Sequence, residues 1–474
     1  MKVNSFALLC LLFLTLSACD KGEEAPQGTV LSLVAGQDQT ALRNAPLDSP
    51  VIVRLTDMND NPVEGAALSI ALREGSGSLV QNSFTTDVNG EARIEWTLGN
   101  GRDNVFVVGF EGDDKNGAAT ALEVVIAVPY EYTLPEEKGD GLSVAHAADL
   151  GFEVSRLERM IDAIDDGQFK EIHSVAIMKE GKLVLQQQFF EKWPSFGTIN
   201  DIIRSRGDKH LSFSVTKSVT SALIGIAVEE GLIELNAPLY SYFDYPEYEN
   251  WTGEKMAITI HDALTMRTGL DCSELGRWEE APDPSKYTLD LPLVVSPGGT
   301  FNYCTEVSNL LGEIIERQSG LSLQVFANIY LFSKLGIRDV EWWIVQERAT
   351  AGSSLYWSTR DMLKFGQLFL NNGRWNGLQV VPEAWVAQST ESLVDTGWVY
   401  DYALHWWKTT VQAGLVQVEV TAAIGVGGQR IFILHELDMV VVFTGGNFNT
   451  AINGVDELTI ASDILREYVL TALQ

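Results

Sequence analysis

The sequence SFSVTKSVTSALI, residues 212–224, carries the strongest indication of both fold and chemistry in this chain. Ser214 and Lys217 are three positions apart, so on a helix the hydroxyl and the amine project from one face and can meet. A serine hydroxyl needs a base to become a nucleophile, and a lysine serves as that base only when its pKa is lowered. The apolar run 219–228, which Gly231 ends, predicts a buried helix and a desolvated lysine.

Further motifs accompany this helix along the C-terminal part of the chain. They are FSVTKSVTSALIGIAVEEGLIELNAPL (213–239), ITIHDALTMRTGLD (258–271), FNYCTEVSNLLGEIIER (301–317), STRDMLKFGQLFLNNGRWNGLQVVPEAWV (358–386) and IGVGGQRIFI (424–433). Together they resemble the serine β-lactamase and penicillin-binding group, and within it the class C-like esterases, D-aminopeptidases and oligomer amidases. The resemblance covers the chain from about Leu134 to the C-terminus and implies a hydrolase that forms an acyl-enzyme.

The resemblance implies roles for particular side chains. Ser214 corresponds to the acylated serine, Lys217 to its lysine partner, and Tyr303 to the tyrosine that moves the proton from the serine to the leaving group. A neighbouring ammonium is expected to lower the pKa of Tyr303. The second motif is Tyr303-Cys304-Thr305, so Thr305 provides a substrate-binding hydroxyl where β-lactamases have an amide.

The third motif of the resemblance falls on a glycine-rich segment, Gly425-Val426-Gly427-Gly428-Gln429. Glycines let the backbone approach a substrate closely, so Gly425 and Gly427 are predicted to bind substrate. The backbone N–H groups of Ser214 and Gly428 are predicted to form the oxyanion hole. β-Lactamases have a lysine in this motif, and its absence favours an ester or amide that lacks the carboxylate held by that lysine.

Three functions follow from these observations. The first is hydrolysis of a small ester, amide or peptide through an acyl-enzyme on Ser214. The second is a D,D-peptidase or β-lactamase acting on the cell wall or on β-lactams. The third is a non-catalytic surface protein that binds its partner through the N-terminal region. No Gly-x-Ser-x-Gly motif is present, which disfavours a Ser-His-Asp hydrolase.

Strand and helix patterns predict an α+β fold for residues 151–474, in which strands from both ends share one antiparallel sheet and the helices lie between. Residues 29–128 are predicted to be all-β, with turn clusters between short apolar runs. Within them VRLTDMNDNPVEGAALSIAL (53–72) and TTDVNGEARIEWTLG (85–99) resemble bacterial Ig-like domains. Residues 129–150, with Pro129, Pro135 and two glycines, are predicted to be a linker.

The first residues resemble a bacterial lipoprotein signal. A short apolar run over 6–16 ends in Leu16-Ser17-Ala18-Cys19, which implies removal of residues 1–18 and lipidation of Cys19. Residues 19–28 are then a polar tether. The expected location is the bacterial cell envelope, with the protein lipid-anchored and facing the periplasm. Asp20 favours the inner membrane.

The net charge, the histidines and the cysteines indicate which partners and cofactors the protein can have. The chain has 33 Lys+Arg against 64 Asp+Glu, a formal charge of -31, which disfavours nucleic acid. The six histidines are scattered and no Cys/His cluster exists, so no metal or cofactor is predicted. Cys272 and Cys304 remain in the mature chain, and an oxidising compartment would permit their pairing. The sequence leaves their pairing and the oligomeric state open.

Overall fold

The computed structural model describes residues 29–473, apart from 38, 40, 74, 100–102, 111–119, 190–208, 273–276, 392, 415 and 449–458. The predicted signal peptide, Cys19 and the tether lie outside this range. The chain divides between Tyr130 and Glu131 into two units. In the part that the structure describes, no helix is both long and apolar enough to cross a membrane.

The N-terminal unit is all-β, as predicted. Its described strands are β1 Thr29–Ala35, β2 Val51–Asp57, β3 Ala67–Leu72, β4 Ser78–Leu79, β5 Ser83–Thr85, β6 Glu91–Ile94, β7 Trp96–Thr97, β8 Asp103–Phe110 and β9 Thr120–Ala127. They form antiparallel sheets of order β1-β2-β6 and β5-β3-β8-β9, with β4 paired to β7. The likeness to an Ig-like domain stays a prediction.

One apolar core joins the two larger sheets of this unit. In β2, Val51, Val53 and Leu55 are buried while the residues between them are partly exposed, because successive side chains of a strand point to opposite faces. The buried residues of β2 share a single core with those of β3 and β8, and Trp96 of β7 packs edge-on against Phe106 of β8 in this core. Two sheets around one core form a two-layer β arrangement.

The C-terminal unit is built on one large sheet. Its described strands are β10 Ser143–Val144, β11 Ile172–Lys179, β12 Lys182–Gln188, β13 Lys209–Leu211, β14 Glu341–Trp342, β15 Ile344–Val345, β16 Arg348–Ala349, β17 Leu355–Ser358, β18 Arg374–Trp375, β19 Leu378–Gln379, β20 Asp401–Tyr402, β21 Trp407–Ala413, β22 Val416–Gly425, β23 Gln429–Leu434 and β24 Met439–Gly445. Eight of them form the sheet β10-β12-β11-β24-β23-β22-β21-β20. β11 pairs antiparallel with β24, so strands from both ends of the unit share the sheet, as predicted.

Helices pack around this sheet. They are α1 Val154–Asp165, α2 Val215–Glu229, α3 Ile260–Leu264, α4 Pro284–Asp290, α5 Thr305–Ser319, α6 Leu323–Ala327, α7 Thr359–Leu370, α8 Glu383–Thr390 and α9 Ile460–Ile464. After α9 the chain stays helical to Ala472.

The central helix α2 is buried along most of its length, as its apolar sequence predicts. Every residue from Val215 to Ala227 is buried. At Gly225 a Cβ atom would lie 2.3 Å from the ring of Trp385 in α8, so only glycine permits this close helix contact. Lys217 and the residues around it are therefore buried in the interior of this unit.

The segment 131–150 differs from the predicted linker, because it is an integral part of the C-terminal unit. β10 pairs in parallel with β12, and the Tyr132 hydroxyl donates to the Val184 carbonyl at 2.7 Å. The Arg360 guanidinium donates to both carboxylate oxygens of Asp140, at 2.7 and 2.9 Å. Gly139 and Gly141 form a bend in this packed segment, and the partners that order it lie far away in the sequence.

Replacing Asp140 by asparagine is expected to lower the free energy of unfolding by about 2–3 kcal/mol, because Arg360 would lose its charged partner. Arg360 is only 6% exposed. Burial raises the pKa of Asp140, but the hydrogen bond and charge of Arg360, with Lys364, bring it down to about 2. A carboxyl with a lowered folded pKa contributes stability above its ordinary pKa and loses it as the pH falls through the folded one.

The difference between wild type and Asp140→Asn is therefore expected to shrink as the pH falls from about 4 towards about 2. Urea unfolding of the full chain at several pH values measures it. Asp149→Asn, at an exposed position in the same segment, is the matched control. Equal stability loss in the two variants at neutral pH would show that the ion pair does not stabilise the fold.

Candidate active site

Ser214 lies at the junction between a short strand and the buried helix α2. β13 pairs with β17, and the Ser212 N–H and hydroxyl both donate to the Leu355 carbonyl at 2.9 Å. Phe213 follows with φ 47°, in the left-handed region that bulky residues rarely adopt. Its ring packs on Phe448, with centroids 5.2 Å apart. This turn places Ser214, partly exposed, at the start of α2.

The Lys217 side chain is 1% exposed and its amine reaches three oxygen atoms. Nζ donates to the Ser214 hydroxyl at 3.2 Å, to the Thr305 hydroxyl at 3.0 Å and to the Gly352 carbonyl at 2.8 Å. Burial lowers the pKa of Lys217 to about 7, although the charge of Glu306 acts in the opposite direction. A large fraction of this amine is therefore neutral near pH 7 and able to accept a proton. The structure thus brings the predicted serine and lysine together.

Tyr303 precedes α5 and also belongs to the site. Its ring is near-parallel to that of Trp407, with centroids 5.7 Å apart, and the Lys217 Nζ lies 4.8 Å from its centroid. Burial raises the pKa of Tyr303, and an interaction with the Ser214 hydroxyl opposes that rise. The expectation of a lowered Tyr303 pKa was wrong. Burial disfavours the charged form of the phenol, and it also favours the uncharged form of Lys217, whose positive charge was expected to lower the Tyr303 pKa. Tyr303 is thus a neutral phenol.

Two residues that the sequence did not single out help to hold Lys217. The Gly352 N–H donates to the Asn309 Oδ1 at 2.9 Å, which turns the Gly352 carbonyl towards the amine. A Cβ atom at position 352 would lie 2.8 Å from the Thr305 side chain. Thr305, predicted to bind substrate, is placed against Lys217, and its contact with substrate stays a prediction. No motif in the sequence indicates Gly352, because its partners come from distant segments.

His405 is a third residue missed by the sequence analysis. It is 1% exposed, its Nδ1 lies 3.2 Å from the Lys217 carbonyl, and its Nε2 lies 3.3 Å from the Ser308 hydroxyl. Burial, together with the charge of Lys217, lowers the pKa of His405 to about 3. A neutral imidazole in this place packs α2 against α5 and supports the lysine backbone.

The glycine-rich segment lies beside the strand that leads to Ser214. A Cβ atom at Gly425 would lie 2.3 Å from the Ser212 carbonyl, and one at Gly427 would lie 2.3 Å from the ring of Phe448. Gly427 and Gly428 both have positive φ, at 83° and 97°. These positions therefore require glycine. The substrate-binding role of Gly425 and Gly427 and the oxyanion hole at Gly428 stay predictions.

Two buried side chains hold the glycine-rich segment in place. The Gln429 Nε2 donates to the Val426 carbonyl at 3.1 Å and to the Gly445 carbonyl at 2.6 Å, and its Oε1 accepts from the Gly445 N–H. The Arg430 Nη1 donates to the carbonyls of Gly425 and Gln429 at 2.7 and 2.8 Å. A cation thus lies next to the third motif, with its Nη1 bound to the backbone.

A disulfide joins Cys272 and Cys304, which answers the question left open by the sequence. Cys304 lies between Tyr303 and Thr305, at the residue before α5, so the bond ties the second motif to the segment after α3. The sulfurs and the Glu306 carboxylate lie close enough together to suggest a metal site. Both sulfurs are bonded to each other, however, and so do not act as thiolate ligands.

In this site a serine at the start of a central helix is hydrogen-bonded to a buried lysine, and a tyrosine lies beside them. Hydrolases that use a Ser-x-x-Lys pair have this arrangement. The sequence matches the Beta-lactamase family over residues 160–457, more than half of the chain. The chain therefore belongs to the Beta-lactamase family, and it is a serine hydrolase.

Individual relatives agree with this assignment. The chain is 27% identical to the 6-aminohexanoate-dimer hydrolase of Paenarthrobacter ureafaciens in an alignment of 262 positions. The match covers 50% of this chain and 65% of that protein, slightly less than two thirds of its length. The β-lactamase/D-alanine carboxypeptidase of Yersinia pestis superposes with a TM-score of 0.53 at 15% identity, covering 70% of this chain and all of that one. An octameric penicillin-binding protein homologue from Pyrococcus abyssi gives 0.51 at 19% identity, covering 67% and 77%. These structures share the fold of this chain over the parts that superpose.

Proposed function

We propose that this protein hydrolyses an amide or ester through an acyl-enzyme on Ser214. The observation that carries the proposal is the 3.2 Å hydrogen bond between the Lys217 Nζ and the Ser214 hydroxyl, in a site that lowers the pKa of Lys217 to about 7. A neutral lysine amine at this distance can remove the serine proton as the oxygen attacks a carbonyl carbon.

The other site residues follow from this step. The Tyr303 hydroxyl, which interacts with Ser214 and has a raised pKa, donates its proton to the departing amine or alcohol and regains one from the Lys217 ammonium, which becomes neutral again. The N–H groups of Ser214 and Gly428 stabilise the negative oxygen of the tetrahedral intermediate. Water then attacks the acyl-enzyme, the neutral Lys217 amine accepts its proton, and Lys217 passes that proton to the Ser214 oxygen as the acid is released.

The substrate class is proposed from two observations. A 27% identical relative is named for hydrolysis of 6-aminohexanoate dimer, which favours an amide between small linear units. The third motif carries Gly425 to Gln429 without a lysine, and the nearby Arg430 donates to backbone carbonyls. Both favour an amide or ester over a β-lactam. A D,D-peptidase or β-lactamase activity is kept as the outcome that the experiment below separates.

The test uses the chain from residue 20 onward with three substrates: p-nitrophenyl acetate, 6-aminohexanoate dimer and nitrocefin. We expect turnover of the ester or the amide, and labelling by a fluorophosphonate probe, both absent in Ser214→Ala. Labelling that persists in Ser214→Ala would refute the nucleophile assignment. Rapid opening of nitrocefin, with neither ester nor amide turned over, would move the protein to the β-lactam-hydrolysing members.

We further propose that the protein is lipid-anchored through Cys19 in the bacterial cell envelope, faces the periplasm, and carries an Ig-like module over residues 29–128. The motif Leu16-Ser17-Ala18-Cys19 and the two-layer β unit support this proposal. Incorporation of radiolabelled palmitate, lost in Cys19→Ser, tests the anchor. Recovery of unlabelled wild-type protein in the soluble periplasmic fraction would refute it.

A further inference from the structure

A row of aromatic rings leads from Tyr303 towards the surface. Trp407 is near-parallel to Tyr303, and Trp398 is near-parallel to Trp407 at 16°, with centroids 6.0 Å apart. Phe301 packs edge-on against Trp398 at 5.7 Å. At the outer end, Trp398 is 64% exposed and the neighbouring Val399 is also exposed. Exposed large apolar side chains next to a catalytic group are typical of ligand-binding surfaces.

A cavity of about 550 Å³ lies against this row. Trp398, Val399 and Trp407 form one side of it, and Val411 and Ile424 contribute from β21 and β22. Its lining is mostly apolar. Two guanidinium groups also border it: Arg466 is paired with Asp463 at 2.7 Å and Glu467 at 3.0 Å, and Arg430 donates to backbone carbonyls. The space is within the usual range for a small-molecule site.

The position of the cavity relative to Tyr303 indicates which part of the substrate it receives. Tyr303 delivers a proton to the leaving group, so the leaving group must lie on the side of its hydroxyl. Trp407 packs on Tyr303 and also borders the cavity, so one ring connects the proposed proton donor to the cavity.

We propose that this cavity is the subsite for an apolar leaving group, the alkyl or aryl part of the alcohol or amine that the enzyme releases. The inference rests on the proposed function and adds the chemistry of the leaving group to it. Trp398 and Trp407 provide the apolar contact area, and Trp398 sets the preference because its ring forms the exposed edge.

The test compares ethyl acetate with 3-phenylpropyl acetate, whose alcohols are of similar acidity. Both esters form the same acetyl-enzyme, so a difference in kcat/KM arises while the leaving group is still bound. We expect wild type to prefer the phenylpropyl ester by about tenfold. In Trp398→Ala the ratio is expected to fall close to one. Trp343→Ala, which removes an exposed tryptophan outside the cavity, keeps the wild-type ratio.

An equal ratio in wild type and Trp398→Ala would overturn the subsite while leaving the hydrolase function intact. So would a preference for 4-(acetoxymethyl)benzoate over benzyl acetate, because that result would assign the cavity to a carboxylate. If none of these esters is turned over, calorimetric titration with 3-phenylpropanol decides the matter independently of catalysis. Binding by wild type that weakens in Trp398→Ala supports the subsite, and no binding by wild type overturns it.

Discussion

Lys217→Met is expected to lower kcat/KM by roughly 1,000- to 10,000-fold, because the basic group that bonds the serine hydroxyl is removed. The Lys217 Nζ lies 3.2 Å from the Ser214 hydroxyl, and burial lowers its pKa to about 7. Methionine has a similar length and suits a buried apolar position, so the helix is expected to stay folded. Steady-state kinetics with p-nitrophenyl acetate and an amide substrate, together with a melting curve, measure the effect.

Lys217→Arg is the matched comparison, since arginine keeps the positive charge but does not act as a base near neutral pH. Arginine is expected to be as inactive as methionine if the neutral amine is the working form. Substantial activity of Lys217→Arg would instead show that the site needs a cation.

The pH dependence of kcat/KM follows from the Lys217 amine. A base acts in its deprotonated form, so kcat/KM of wild type is expected to rise with pH through about 7, the lowered pKa of Lys217. This rise should disappear from the residual activity of Lys217→Met. The measurement covers roughly two pH units on either side of that pKa, from about pH 5 to about pH 9. A wild-type kcat/KM that stays constant over this range would argue against Lys217 as the base.

Tyr303→Phe is expected to lower kcat/KM for an amide by about 100- to 1,000-fold, because the departing amine then lacks its proton donor. The variant removes only the hydroxyl and keeps the ring that packs on Trp407. The loss should be much smaller for p-nitrophenyl acetate, because nitrophenolate departs without protonation. Comparing the two substrates in one variant therefore separates proton donation from a general disturbance of the site.

Tyr402→Phe is the control for this prediction. Tyr402 packs at right angles to Trp407 in the same aromatic group, and its buried hydroxyl has no hydrogen-bond partner in the described structure. Removing that hydroxyl is expected to leave both activities near wild type. Equal losses on amide and nitrophenyl ester in Tyr303→Phe would contradict the proton-donor role and assign Tyr303 to positioning.

Local patterns of residues correctly predict several features of the fold and of the site. The spacing of Ser214 and Lys217 predicts that their side chains meet on one helix face, and the structure shows this contact. The apolar run after them predicts the buried helix α2, because the periodicity and burial of a helix depend on neighbouring residues. Strands at both ends of the C-terminal unit predict their shared sheet, which β11 and β24 form. The all-β character of the N-terminal unit follows from alternating apolar residues and turn clusters.

Other features depend on contacts between residues far apart in the sequence, and they become visible in the folded molecule. A disulfide joins Cys272 and Cys304, which lie in separate segments of the chain. Gly352 and His405 likewise come from distant segments that meet at Lys217. The segment 131–150 resembles a linker by composition, yet the pairing of Asp140 with Arg360 fixes it to the fold. The direction of the Tyr303 pKa shift was mistaken for the same reason: burial outweighs the hydrogen bond with Ser214, and burial is a property of the packed molecule.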